Sequence, residues 1–302
     1  MALNGLTKRY GQRVAVDRLT LEIPTGVVAG FVGPNGAGKT TTMAMLLGLV
    51  APTGGTGTVL GHPLDRPGDY LGRVGALVEG PAFYPGLTGT ENLAVLATLG
   101  GHDRARIPEV LERVGLHRRR DDPFREYSMG MKQRLGIAAA LLGDPDLLIL
   151  DEPANGLDPA GIHEMRGLVA TLAQGNRTVL VSSHILSELE HVCDWLVVID
   201  EGSLVYEGPA ADFLGQATTV LALVPEHDDD LDRLRGLLLA EGHRLDRADG
   251  EVLVQAGAAD SRQLAATLNR AAQREGIVLA ELHARRANLE SHYLTVVRGG
   301  DR

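Results

Sequence analysis

GPNGAGKT, residues 33–40, decides the fold. It fits G-x-x-x-x-G-K-[ST] in full, with the apolar run VVAGFV (27–32) leading in and a helical stretch over 39–49 leading out. Gly33, Gly36 and Gly38 allow backbone conformations that a Cβ would obstruct. Together with Pro34, Asn35 and Ala37 they make a loop whose N–H groups can face phosphate oxygens. The helix start adds a partial positive charge at the same place. In this reading Lys39 reaches the β- and γ-phosphates, the Thr40 hydroxyl ligates Mg²⁺, and Thr41 stands beside it. A glycine-rich turn that binds nothing would leave both flanks unexplained.

A second signal lies about 110 residues further on, in DLLILDEP (146–153). Two carboxylates ending an apolar strand are hard to justify structurally, because an unpaired charge there is costly. A cation resolves the difficulty: Asp151 holds Mg²⁺ and Glu152 polarises an attacking water as general base. SSH (182–184) follows the next apolar run, so His184 should emerge at the same sheet edge and hydrogen-bond the γ-phosphate. YSMGMKQRL (127–135) is a helix start with a hydroxyl, Ser128, a lone glycine, Gly130, and no acid nearby. An ordinary serine cap accounts for Ser128 but not for Gly130.

These motifs, with NGLD (155–158), occur in the order and spacing of ATP-binding cassette (ABC) ATPases, and the chain resembles that family over residues 1–215. The resemblance implies an α/β P-loop NTPase with a RecA-like core, an antiparallel β subdomain and a helical subdomain carrying the signature. It implies ATP and Mg²⁺, and a second copy of the chain as partner. In that family the signature, here Ser128 and Gly130, caps ATP held on the phosphate loop of the other subunit. Asp158 falls in the D-loop that crosses the interface, and Tyr10, in TKRYG, falls where an aromatic stacks on adenine. The Q-loop glutamine falls at Glu79, whose carboxylate can reach toward Mg²⁺ but cannot donate a hydrogen bond, which bears on the tuning of hydrolysis. Met129 and Met131 stand where the commonest signature has glycine and glutamine.

YSMGMKQRL and ALVEGPAFYP (76–85) resemble the branch serving drug, bacitracin and lantibiotic export or self-resistance, as, more faintly, does the ending ANLESHYLTVV. That branch implies a separately encoded permease, docked near residues 79–87 and 121–126. The implied place is the cytoplasm, peripheral on the inner face of the cell membrane, with membrane contact only through the permease.

Bulk properties agree. The chain has 302 residues, 44% of them apolar and 23% charged, as expected of an ordinary globular protein. A net charge of −10 argues against broad nucleic-acid binding, which needs a basic face. That charge, and a single uninterrupted cassette, weigh against the rival reading of a soluble ATP-gated clamp on ribosomes or DNA. Intact Asp151, Glu152 and His184 weigh against a non-hydrolysing nucleotide switch. The lone cysteine, Cys193, reads as a core filler in a reducing compartment. MALNGLTKRYG lacks the features of a signal peptide, and no apolar run reaches the roughly 18 residues of a membrane span.

Strands are expected over 19–23, 27–32, 74–78, 147–150, 178–182 and 195–200. Helices are expected over 131–142 and 159–173, with another starting at the TGTE capping box (88–91). The texture changes after Gly215. Residues 216–302 read as a small α+β accessory unit of βαββαβ order, ferredoxin-like, with helices over 229–240 and 261–272 and a last one near 289–297. Its acidic run (226–230) reads as a helix start favoured by the macrodipole, or as a metal site.

Overall fold

Runs of consecutive aliphatic residues become strands covered on both faces. The computed structural model describes residues 1–173, 175–189, 192–215, 219–248, 250–256 and 261–286. It divides into two units, Met1–Ala210 and Ala211–Arg302. The first opens with β1 (Ala2–Tyr10), β2 (Arg13–Glu22), β3 (Val28–Val32) and α1 (Lys39–Leu46). Next come β4 (Gly54–Val59), β5 (His62–Pro63), β6 (Val74–Leu77), α2 (Gly89–Gly100), α3 (Ile107–Arg113) and α4 (Met129–Leu141). Then follow β7 (Leu147–Leu150), α5 (Pro159–Leu172), β8 (Thr178–Ser183), α6 (Leu186–Leu189), β9 (Trp195–Asp200) and β10 (Ser203–Pro209). A short helix, α7 (Ala210–Gly215), spans the division.

The main sheet runs β10-β9-β3-β8-β7-β6, parallel except for β10. Every residue of β3, β7 and β8 is buried, which explains why these segments read as unbroken apolar runs rather than alternating ones. Because β3, β8 and β7 are neighbours and parallel, the segments leaving their carboxyl ends all emerge along one edge. That edge is where ligands bind in open α/β sheets. A second, antiparallel sheet runs β2-β1-β4-β5. Its β4, GGTGTV, carries almost no apolar pattern. Gly55 lies so close to β1 that an added Cβ would come within 2.2 Å of the Gly5 carbonyl oxygen.

The capping box forms as expected, with Glu91 N–H donating to Thr88 Oγ1 and Thr88 N–H to Glu91 Oε2. The segment before it is tied down. Buried Asn92 accepts from Tyr84 N–H, and its amide nitrogen reaches the carbonyls of Tyr84, Leu87 and Thr88. The same segment zips to the stretch that leads into α4. Phe124 N–H donates to Leu87 O at 2.8 Å, Arg125 N–H to Pro85 O at 3.0 Å, and Thr88 bridges Pro123. Phe83, Phe124 and Tyr127 pack along this seam, edge-on or tilted to one another.

The second unit contains β11 (Thr219–Pro225), α8 (Leu231–Ala240), β12 (Leu245–Ala248), β13 (Glu251–Ala256), α9 (Ser261–Arg274) and β14 (Leu279–Arg286). Its sheet order β12-β13-β11-β14, antiparallel throughout, is the ferredoxin-like arrangement. Leu221, Leu223, Val252 and Val254 alternate onto one face and pack with Leu234, Leu238 and Leu268. The acidic run forms a 3-10 turn entering α8, where Asp230 pairs with Arg233. The helix expected near 289–297 lies outside the described residues. No helix among the described residues is long and apolar enough to cross a membrane.

Candidate functional site

The loop 33–40 joins β3 to α1 at the sheet edge, and close packing dictates two of its glycines. A Cβ on Gly33 would come within 2.3 Å of Ile199 O, and one on Gly38 within 2.4 Å of Ala15 O. Gly38 is also the N-cap of α1 with φ +102°, and no side chain caps that helix. Its first amides therefore remain available to an anion. Ala37 is buried, and its carbonyl accepts from Gly202 N–H. Lys39 is 5% exposed, and its ammonium donates to Gly33 O at 2.6 Å and Pro34 O at 3.2 Å.

The acid pair joins the same cluster. Lys39 Nζ lies 3.3 Å from Glu152 Oε1, and His184 Nδ1 lies 2.6 Å from Glu152 Oε2. Thr40 Oγ1 donates to Asp151 Oδ2 at 2.8 Å, and Ser182 Oγ donates to Asp151 Oδ1 at 2.5 Å. A hydroxyl and a carboxylate side by side are a hard-oxygen set that suits Mg²⁺. Glu152 has φ +48°, a left-handed conformation that costs a non-glycine residue roughly 1–2 kcal/mol.

Tyr10, Asn35, Gly36, Lys39, Thr40, Thr41, Glu152 and His184 line one cleft of about 590 Å³. Tyr10 is half exposed there, with Lys8 Nζ 4.9 Å from its ring centroid. Glu79 follows β6, whose Leu77 carbonyl accepts from Asp151 N–H at 2.8 Å. Glu79 is exposed with φ +59°. No hydrogen bond or ion pair among the described residues joins it to Thr40 or Asp151.

Ser128, Gly130 and Asp158 are not in this cleft. With Met129, Met131 and Leu157 they line a second one, also about 590 Å³, which shares no residue with the first. Ser128 caps α4 by accepting from Met131 N–H at 3.3 Å, and Asp158 caps α5 by accepting from Gly161 N–H at 3.0 Å. No acid lies in the first turn of α4. Gly130 has no positive φ, and an added Cβ would meet only Leu157 Cδ2, at an ordinary 3.7 Å. The fold of this chain therefore does not require glycine at that position.

Sequence reasoning missed Arg13, Asn155 and Ser182. Arg13 pairs with Tyr10 across the β1–β2 turn and faces Gly36. Asn155 lines the first cleft while Gly156 to Asp158 line the second, so one loop serves both. Ser182 was legible as part of SSH, but only the neighbouring strand end reveals its bonds. Cys193 packs against Gly30, and burial pushes its thiol up to about 12.

Residues 16–155 match the ABC transporter family. The chain is 38% identical over 301 residues to the bacitracin transport ATP-binding protein BcrA of Enterococcus faecalis, covering 98% of this chain and 95% of that protein. It is 41% identical over 207 residues to the lantibiotic transport ATP-binding protein SrtF of Streptococcus pyogenes, covering 68% and 90%. Among solved structures it resembles an ATP binding subunit of an ABC transporter, with TM-score 0.62 and 32% identity over 71% of this chain and 92% of that one.

Proposed function

The chain belongs to the ABC transporter ATP-binding proteins, and from that premise we propose that it drives a separately encoded permease exporting a drug, antibiotic or peptide. ATP-dependent pairing of two copies is the motor. Relatives named for bacitracin and lantibiotic transport support an antibiotic peptide as cargo and weigh against a clamp on ribosomes or DNA. The working place is then the inner face of the cell membrane, reached through the permease.

One observation carries this reading. The chain holds two clefts with no residue in common, one equipped for phosphate and the other ending in a helix start that glycine opens for no internal reason. Against a two-fold partner, each second cleft meets the other copy's first cleft, and two sites are completed at once. Ser128 and the amides beside Gly130 then face the γ-phosphate of the partner's ATP, and Asp158 crosses the seam beside them.

Within the first cleft, Tyr10 stacks on adenine and the loop amides cradle the phosphates. Lys39 exchanges its bonds to Gly33 and Pro34 for phosphate oxygens. Thr40 and Asp151 are the residues that would hold Mg²⁺, with Glu79 reaching toward it. The ion supplies neutralisation of the charge that develops during phosphoryl transfer. Glu152 takes a proton from the attacking water, and His184, bonded to Glu152, hydrogen-bonds the γ-phosphate and orients both. Closure can move the permease only as far as ATP prefers the closed pair over the open one. The surface around residues 79–87, zipped to 121–126, receives the permease.

Glu152→Gln tests this. The variant should retain ATP, elute as a dimer when ATP is present, and turn over ~100-fold or more slowly. Normal turnover by a monomeric variant would overturn the reading.

A further inference from the structure

The hydroxyl of Ser182, at the end of β8, is 1% exposed and is held by the acid pair of the neighbouring strand. Ser182 Oγ donates to Asp151 Oδ1 at 2.5 Å and accepts from Glu152 N–H at 2.8 Å. One oxygen atom thus grips the side chain of one acid and the backbone of the next. A serine hydroxyl has one proton and two lone pairs, so a single group can serve both contacts.

We propose that Ser182 is a positioning residue for ATP hydrolysis: it orients the Asp151 carboxylate and holds Glu152 in its left-handed turn. The proposal rests on reading the first cleft as an ATP site. Asp151 receives one hydroxyl on each oxygen, Ser182 on Oδ1 and Thr40 on Oδ2. With Oδ1 fixed from the side of β8, Oδ2 is the atom presented to the Thr40 hydroxyl. Removing the Ser182 hydroxyl frees the carboxylate to rotate. It also leaves Glu152 N–H without an acceptor, at a residue whose φ of +48° needs support from its surroundings. The Glu152 carboxylate, held at its far end by His184 and Lys39, would then lose its anchor at the near end.

The test uses the full chain with ADP and Mn²⁺, whose binding is read by electron paramagnetic resonance, alongside steady-state ATPase kinetics. Ser182→Ala should weaken Mn²⁺ binding about tenfold, as loss of an outer-shell partner commonly does. It should lower kcat by about 10- to 100-fold and leave KM for ATP within about threefold, because the cradle and Tyr10 are untouched. Ser182→Thr keeps the hydroxyl and should recover most of both losses. If Ser182→Ala does not yield folded protein, Ser182→Cys takes its place, since a thiol is only a weak donor and acceptor. Mn²⁺ affinity within about twofold of the parent overturns the proposal, as does Ser182→Thr falling as far as Ser182→Ala. A parent chain that neither binds Mn²⁺–ADP nor hydrolyses ATP would instead overturn the reading of the cleft itself.

Discussion

The two clefts of the first unit differ in how their residues are satisfied. In the first, Lys39, Thr40, Asp151, Glu152, Ser182 and His184 bond to one another, and two glycines are fixed by backbone atoms 2.3–2.4 Å from where a Cβ would sit. In the second, Ser128 and Asp158 cap their own helices and Gly130 meets nothing closer than 3.7 Å. The side chains of the first cleft are tied to one another, whereas those of the second are tied only to their own helix starts, which under the proposed pairing face the other copy. A residue's internal contacts thus separate what a fold needs from what a partner needs.

The strongest attempt to break this contrast is complementation. Lys39→Ala disables the first cleft and Gly130→Asp, which sets a carboxylate beside phosphate, disables the second. Each alone should lose ~99% or more of ATPase activity, for want of electrostatic stabilisation at one half of each site. Mixed in equal amounts, they should regain about a quarter of the parental rate, because half the pairs then hold one intact site. An inactive mixture, with exchange of subunits verified, would mean the clefts do not meet across a two-fold seam.

Gly130→Ala sharpens the same point. The chain tolerates the methyl, and alanine is the better helix former, so thermal unfolding should be unchanged or raised, by up to about 1 kcal/mol. Turnover should nevertheless drop ~10-fold or more, because closest approach of the partner's phosphates is blocked. Gly38→Ala should do the opposite and destabilise measurably, since φ +102° and Ala15 O both forbid a Cβ.

At the rim the effect falls on binding rather than on turnover. Tyr10→Ala should raise KM for ATP by about 5- to 100-fold, the range expected for losing one base stack, with kcat nearly unchanged. Tyr10→Phe should behave like the parent. Equal losses in both variants would point to the hydroxyl rather than the ring.

Much of this was legible in the chain itself, for identifiable reasons. The phosphate loop and the acid pair are local, each compressed into eight residues at the end of a buried strand. The ferredoxin-like order showed through because its helices and strands keep separate periods. Strands β1 and β4 did not: β1 buries only Leu3 and Leu6 among mostly polar and basic neighbours, and β4 is Gly and Thr with a single Val, packed backbone to backbone at Gly55. Arg13 and Ser182 stayed hidden because their partners lie across a turn and on a neighbouring strand, and Asn155 because only the folded loop brings it to the first cleft. Ser182 and Asp151 are 31 positions apart, and only the β7–β8 pairing brings them within bonding distance.

The seam between residues 84–88 and 119–127 limits how the molecule can be rebuilt. Its amide-to-carbonyl bonds match backbone to backbone, and buried Asn92 leaves the first strip no freedom to shift. A chimera that imports one strip from a relative with a different spacing would strand donors and acceptors along the whole join. The two strips are a single exchangeable cartridge: with the permease received there as proposed, redirecting this ATPase to a foreign membrane partner means transplanting both together.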